Sequence, residues 1–331
     1  MRSYLLLLLP AAVIAGSVVG PITDDFKSWL NSNNYVADDF QREDHGTQGS
    51  YGGKSSANPK STKTPVIFIH GNSDSALSSS MTATGWDNTI TYFLSKGYTT
   101  ADLYATSWGD TNALNAETRT HNCKDVLRLR RFVEAVLKYT GQKKVSLITH
   151  SMGVTLGRKL IKGGPINAVD GNCDVGASMQ KSVDVFLGLS GGNYGLCTCE
   201  ASGSLAPTCR HDNGLWAGDS CGLNYYDCGL SPLPWPCSGP TYSKFLTDLN
   251  QDPGREAAYV FSAWSQADDL ILFGDMVWGR PTSLIPSSTG YKIYSTYGHM
   301  ATKELTANDQ YDMVVNKKVP NTTDHPTQKI G

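Results

Sequence analysis

The run from Val145 to Gly153, Val-Ser-Leu-Ile-Thr-His-Ser-Met-Gly, offers a hydroxyl in a position to do chemistry. Val145 to Ile148 is short and apolar, with strand character. The chain then reaches Ser151, and a helix-compatible segment follows. A strand that stops, turns sharply and yields to a helix presents a serine at its tip, which is the layout of a nucleophile elbow. Such a turn needs small neighbours. Gly153 meets that need on one side, whereas Thr149 stands where glycine is usual and brings a β-branched side chain that crowds the turn. A lone hydroxyl is a weak nucleophile, so Ser151 requires a base, an acid to orient that base and donors for an oxyanion.

The sequence holds seven histidines. His299, in Tyr-Gly-His-Met, follows the last predicted strand and precedes a helix-like segment, so it reaches the same sheet edge as the elbow. His150 is adjacent to Ser151 but points elsewhere at such a turn and is a poor base. His45, His121, His211 and His325 lie in polar stretches and read as surface residues. The orienting carboxylate is expected in Trp264-Ser-Gln-Ala-Asp-Asp-Leu-Ile271, between Ser151 and His299, which gives the chain order Ser, Asp, His. Asp268 is favoured and Asp269 is the alternative. Two inward carboxylates would raise each other's pKa, so one of them should turn to solvent or to a helix N-cap. Asp275 is a weaker third candidate. The oxyanion donors are expected to be the backbone amides of Met152 and, from the strand-ending His70-Gly71-Asn72, of Asn72, with Gly71 allowing close approach. Losing one such donor removes about 3 kcal/mol of transition-state stabilisation.

Positioning these groups requires a sheet. Pro65 to Ile69, Ala101 to Ala105, Val145 to Ile148, Val183 to Leu189, Ala258 to Ala263 and Tyr291 to Ser295 read as strands. Trp86 to Lys96, Lys124 to Tyr139, Ser151 to Ile161 and Tyr242 to Leu249 read as helices, and Thr23 can cap a short one carrying Phe26, Trp29 and Leu30. The alternation predicts an α/β protein with a mostly parallel central sheet and helices on both faces. Residues 21–331 read as one domain. An N-terminal arm covers 21–64, its polar part from 41 onward expected as a loop or arm wrapped on the surface, and a Cys-rich insertion covers about 191–240.

Residues 1–20 have the form of a secretory signal, with Arg2, an apolar core from Leu5 to Leu9, and cleavage after Ala15, Gly16 or Gly20. That stretch is too short to favour a membrane span, and no later segment is long and apolar enough. Eight cysteines in a secreted chain predict disulfides among Cys123, Cys173, Cys197, Cys199, Cys209, Cys221, Cys228 and Cys237, with connectivity open. Their spacings match no standard zinc module, and no metal or cofactor is expected. Asn321-Thr-Thr is a glycosylation sequon on an expected exposed tail. With 18% charged residues and a net charge of -2, nothing suggests a nucleic-acid surface.

Taken together, Pro65-Val-Ile-Phe-Ile-His-Gly71, Thr149-His-Ser-Met-Gly153, Ala267-Asp-Asp-Leu-Ile271 and Gly298-His299 resemble the α/β-hydrolase lipase class 2 family over about residues 62–312. The resemblance implies hydrolysis of carboxylic esters of lipids through an acyl-enzyme on Ser151, with His299 as proton carrier and Asp268 holding it. It departs at Thr149 and in the inserted block. That block brings Leu196, Leu205, Leu215, Trp216, Leu233 and Trp235, either as an apolar lining of a cap or as packing within the loop. Short-chain ester hydrolysis and acyl transfer use the same residues, and a catalytically silent binding or matrix protein on the same fold is the alternative of a different class.

Overall fold

The structure is a computed structural model describing residues 18–202, 205–218, 225–229 and 239–321. Most of the expected signal segment, together with Cys221, Leu233, Trp235, Cys237 and His325, lies outside the described residues.

In chain order the strands are β1 (Ser50–Tyr51), β2 (Val66–Ile69), β3 (Leu103–Thr106), β4 (Val145–His150), β5 (Pro165–Ala168), β6 (Gly171–Asp174), β7 (Val183–Leu189), β8 (Tyr259–Ser265), β9 (Met276–Val277), β10 (Arg280–Pro281) and β11 (Gly290–Tyr294). The α-helices are α1 (Asp24–Ser32), α2 (Asp87–Ser95), α3 (Cys123–Thr140), α4 (Met152–Lys162), α5 (Thr198–Ser202), α6 (Tyr225–Cys228), α7 (Lys244–Gln251), α8 (His299–Glu304) and α9 (Ala307–Tyr311). Seven strands form one sheet in the order β1-β3-β2-β4-β7-β8-β11. β1 runs antiparallel to β3, and every other pair is parallel. This is the architecture of an α/β-hydrolase.

Successive side chains of a strand face opposite sides of a sheet. Ile67, Leu147 and Phe186 therefore join Phe26, Phe132 and Leu156 on the side of α1, α3 and α4. Phe68, Ile148 and Leu187 meet Ile90, Phe93 and Met313 on the other. With both sides covered, the strands read as the continuous apolar runs seen in the sequence. The helices begin where side chains can accept their free amides. Thr23 caps α1 at Phe26 (3.3 Å), Asn122 caps α3 at Asp125 (2.8 Å) and Ser243 caps α7 at Leu246 (3.3 Å). Gly141, at φ 69°, ends α3.

Part of the arm is built into the fold. Arg42 donates to Ser107 O at 2.8 Å, and buried Ser50 and Tyr51 pair with Thr106 and Ala105 to close the sheet edge. A strand of two residues leaves no alternation to read in the sequence.

Among the described residues three disulfides form: Cys123–Cys173, Cys197–Cys228 and Cys199–Cys209. The first fastens the start of α3 to the β5–β6 hairpin. The other two lie in the block at 191–240, expected as an insertion. There Leu215 and Trp216 are buried in the same core as Phe245 of α7, and Leu196 packs against it, whereas Leu205 is 93% exposed. The Trp278 indole N–H donates to Ala217 O at 3.0 Å and so ties the block to the β9–β10 segment. No helix among the described residues is long and apolar enough to cross a membrane.

Candidate active site

Ser151 lies between β4 and α4 with φ 55° and ψ -131°, a conformation that a non-glycine residue adopts only under tight constraint. Its N–H donates to Leu189 O on the neighbouring β7 at 2.9 Å, and its carbonyl accepts from Val154 at 2.9 Å. The neighbouring glycines are required by contact. A Cβ on Gly153 would lie 2.3 Å from His70 O, and one on Gly71 would lie 2.7 Å from the Ser151 Cβ. Thr149 is accommodated by a second gap. Its hydroxyl donates to Leu187 O at 2.9 Å, and its methyl faces Gly157 of α4, where a Cβ would come within 3.0 Å.

Asp268 follows β8 and is buried; His299 opens α8. Asp268 Oδ2 and His299 Nδ1 are 2.8 Å apart, and Oδ1 accepts the amides of Leu270 (3.0 Å) and Ile271 (2.8 Å). Burial raises the Asp268 pKa, but the bond and charge of His299, with the two amides, outweigh that and leave the carboxyl below its usual range. Asp269 is exposed and, at the start of α8, accepts the backbone N–H of His299 at 2.7 Å. Asp275 is buried and accepts from Ser283 N (3.0 Å) and Oγ (2.6 Å), and burial pushes its carboxyl up to about 8.

His150 has its ring 4.6 Å from that of His299. The structure therefore joins Asp268 to His299 directly and brings Ser151 to them through its neighbour. The Ser151 hydroxyl makes no hydrogen bond to another described residue. The expected oxyanion loop abuts the elbow through Gly71, and the backbone N–H groups of Asn72 and Met152 are not taken by described partners. Met152 is the first residue of α4, where amides are unpaired and the helix dipole favours negative charge.

Several supports of this loop carried no signal in the sequence. His70 is buried with Nδ1 2.7 Å from Gly71 O, and its Nε2 accepts Trp108 N–H at 2.9 Å, so Nδ1 carries the proton. Burial pushes its pKa down to about 4, and it is neutral. Arg119 donates to Asn72 Oδ1 (2.7 Å) and Ser73 Oγ (2.6 Å), while Asn72 donates to Ala116 O at 2.8 Å. The Asn72 side chain is thus engaged away from its own N–H. Asp74 and Lys303 form a buried ion pair at 2.6 Å that links the loop to α8, the helix that begins with His299.

His121 corrects the expectation of a surface residue. It is buried between Asn213 O (2.8 Å) and Thr155 Oγ1 (2.6 Å), stacked on Phe245. His211 is exposed and stacks on Trp216, and His45 is half-buried beside Arg42 and Asp44. Asn321 is exposed. Among the described residues no group of three or more His, Cys, Asp or Glu side chains is arranged to hold a metal ion.

The family profile described as Lipase (class 2) matches residues 63–312. No curated protein matches the chain. Among solved structures, a lipase of Bacillus licheniformis in its propeptide form is 14% identical, covering 84% of this chain and 54% of its own, with a TM-score of 0.45. Aspergillus fumigatus lipase B is 16% identical, covering 76% and 48%, with a TM-score of 0.41. A carboxylesterase structure from Nitrososphaera gargenis is 13% identical, covering 80% and 90%, with a TM-score of 0.39. The chain spans about half the length of the first two.

Proposed function

The chain belongs to the class 2 lipase family, and on that premise we propose that it is a secreted serine hydrolase that cleaves carboxylic esters of lipids through an acyl-enzyme on Ser151. The observation that carries the reading is the 2.8 Å bond between buried Asp268 and His299, whose ring lies against that of His150, the residue next to Ser151. In this mechanism Asp268 accepts the Nδ1 proton of His299, which leaves the Nε2 lone pair free as a base. His299 takes the Ser151 proton as Oγ attacks the ester carbonyl. The N–H groups of Asn72 and Met152 receive the oxyanion. Collapse of the tetrahedral species expels the alcohol, protonated by His299, and water activated by the same imidazole then releases the acid.

Three disulfides favour an oxidising destination for the chain. The exposure of Asn321 favours its glycosylation. On the same reading residues 21–331 act as one catalytic domain, with the block at 191–240 as its insertion and a lipid ester, presented in solution or at a lipid–water interface, as its substrate.

Hydrolysis of an ester series of increasing acyl length by wild type and Ser151→Ala tests the reading. The variant is expected to lose nearly all activity at every length while remaining folded. Equal activity in the two proteins overturns it. The rate of the wild type across the concentration at which a long-chain ester forms droplets separates lipase from esterase behaviour, since only a lipase accelerates there.

A further inference from the structure

His150 is fully buried between two loops that serve Ser151. Its Nε2 lies 3.1 Å from the backbone carbonyl of His299, and the two rings are tilted by 47° with centroids 4.6 Å apart. On the other side of the ring, Nδ1 has no hydrogen-bond partner among the described residues, and a Cβ on Gly71 would come within 3.2 Å of it. A carbonyl only accepts, so Nε2 carries the proton and Nδ1 the lone pair. Protonating Nδ1 as well would bury an N–H with nothing to receive it, beside an imidazole that must itself become charged during catalysis. The ring is therefore neutral.

An apolar side chain would fill this space without a buried lone pair, whose desolvation costs about 1–3 kcal/mol. Among the described residues, the one hydrogen bond of the His150 side chain goes to the backbone of the expected base. We infer that His150 is a positioning residue for ester hydrolysis: its Nε2–H anchors the His299 backbone, and its ring face restricts the swing of the His299 imidazole away from Ser151. The inference rests on the serine-hydrolase reading above.

Steady-state kinetics of His150→Phe and His150→Gln on a soluble p-nitrophenyl ester, with Ser151→Ala alongside, test it. Phenylalanine keeps a ring of similar size without the donor, and is expected to lower kcat by about tenfold to a hundredfold while KM stays within about twofold. The amide nitrogen of glutamine reaches the place of Nε2, and His150→Gln is expected to recover kcat to within about threefold of wild type. Labelling of Ser151 by a fluorophosphonate should slow in the same order. Wild-type kcat in His150→Phe, or a glutamine variant no better than phenylalanine, overturns the inference. If His150→Phe does not fold, His150→Gln decides alone: recovery to within threefold supports the inference, and any larger loss overturns it. An active Ser151→Ala would remove the underlying reading instead, whereas an inactive Ser151→Ala beside an unimpaired His150→Phe would remove only the role of His150.

Discussion

Asp268 grips the ring of His299 at 2.8 Å with one carboxylate oxygen while two backbone amides, from Leu270 and Ile271, fix the other. The carboxylate cannot rotate without breaking three bonds, so the tautomer and the plane of the imidazole are both set. Asp269 binds the same residue at 2.7 Å, but through its backbone N–H. The two acids thus predict different phenotypes. Asp268→Asn is expected to lower kcat by about a thousandfold or more, because the amide no longer enforces the tautomer. Asp269→Asn is expected to cost about 1 kcal/mol of stability at the start of α8 with a much smaller loss of kcat. Kinetics and denaturant melts of the pair check this, and a reversed order would reassign the acid.

Gly71 touches the elbow so closely that a methyl group there would lie 2.7 Å from the Ser151 Cβ. Gly71→Ala must shift either the loop at 70–72, proposed to supply an oxyanion donor, or the serine by several tenths of an ångström. The expected result is a fall in kcat of about a hundredfold with substrate binding largely kept. Unchanged kcat would mean that the loop and the elbow do not act together.

Arg119 holds Asn72 and Ser73 by their side chains and pairs with Asp110. Arg119→Met keeps much of the volume and removes the donors. It is expected to lower kcat by about tenfold with little change in KM, since the loop would place its N–H less well for the transition state. A rise in KM alone would assign Arg119 to substrate binding.

The burial of His70, His121 and His150 sets the response to acid. Burial pushes His70 and His121 down to about 4 and His150 well below its usual value. Below pH 6.5 the unfolded chain binds protons that the native protein refuses, so stability falls as pH drops from 6.5 towards 4, by on the order of 3 kcal/mol each for His70 and His121. Asp275 acts in the opposite sense. Burial raises its carboxyl to about 8, so from pH 3.8 upward the native state keeps a proton that the unfolded chain loses, and stability declines as pH rises towards 8. The histidines prevail below 6.5 and Asp275 acts above it, which places the maximum near pH 6.5. Urea unfolding between pH 4.5 and 8.5 measures the curve; a steady rise through pH 8 would contradict it.

Much of this arrangement was legible in the sequence because it is local. β2 and β4 run up to the residues in question, and Gly71 and Gly153 flag the close approaches at the elbow. Asp268 and Asp269 could not be separated by sequence, since both follow β8 and only the direction of each side chain decides which meets the ring. What was missed is set by distant partners. His121 sits in a polar stretch, yet Asn213, 92 residues away, and Phe245 bury it. Lys303 looks like a helix-end lysine until Asp74, 229 residues earlier, meets it. β1 is too short to show a period, and its edge position comes only from β3.

The threonine before the elbow has a consequence for anyone engineering this scaffold. Its methyl occupies the volume that a Cβ on Gly157 would need, with the Phe186 ring at 3.1 Å on the other side. The two positions are therefore a coupled pair and should not be optimised separately. Gly157→Ala, which would ordinarily strengthen a helix by about 1 kcal/mol, is expected to destabilise the native background. In a Thr149→Gly background only Phe186 must yield, so a double-mutant cycle should return a favourable interaction energy.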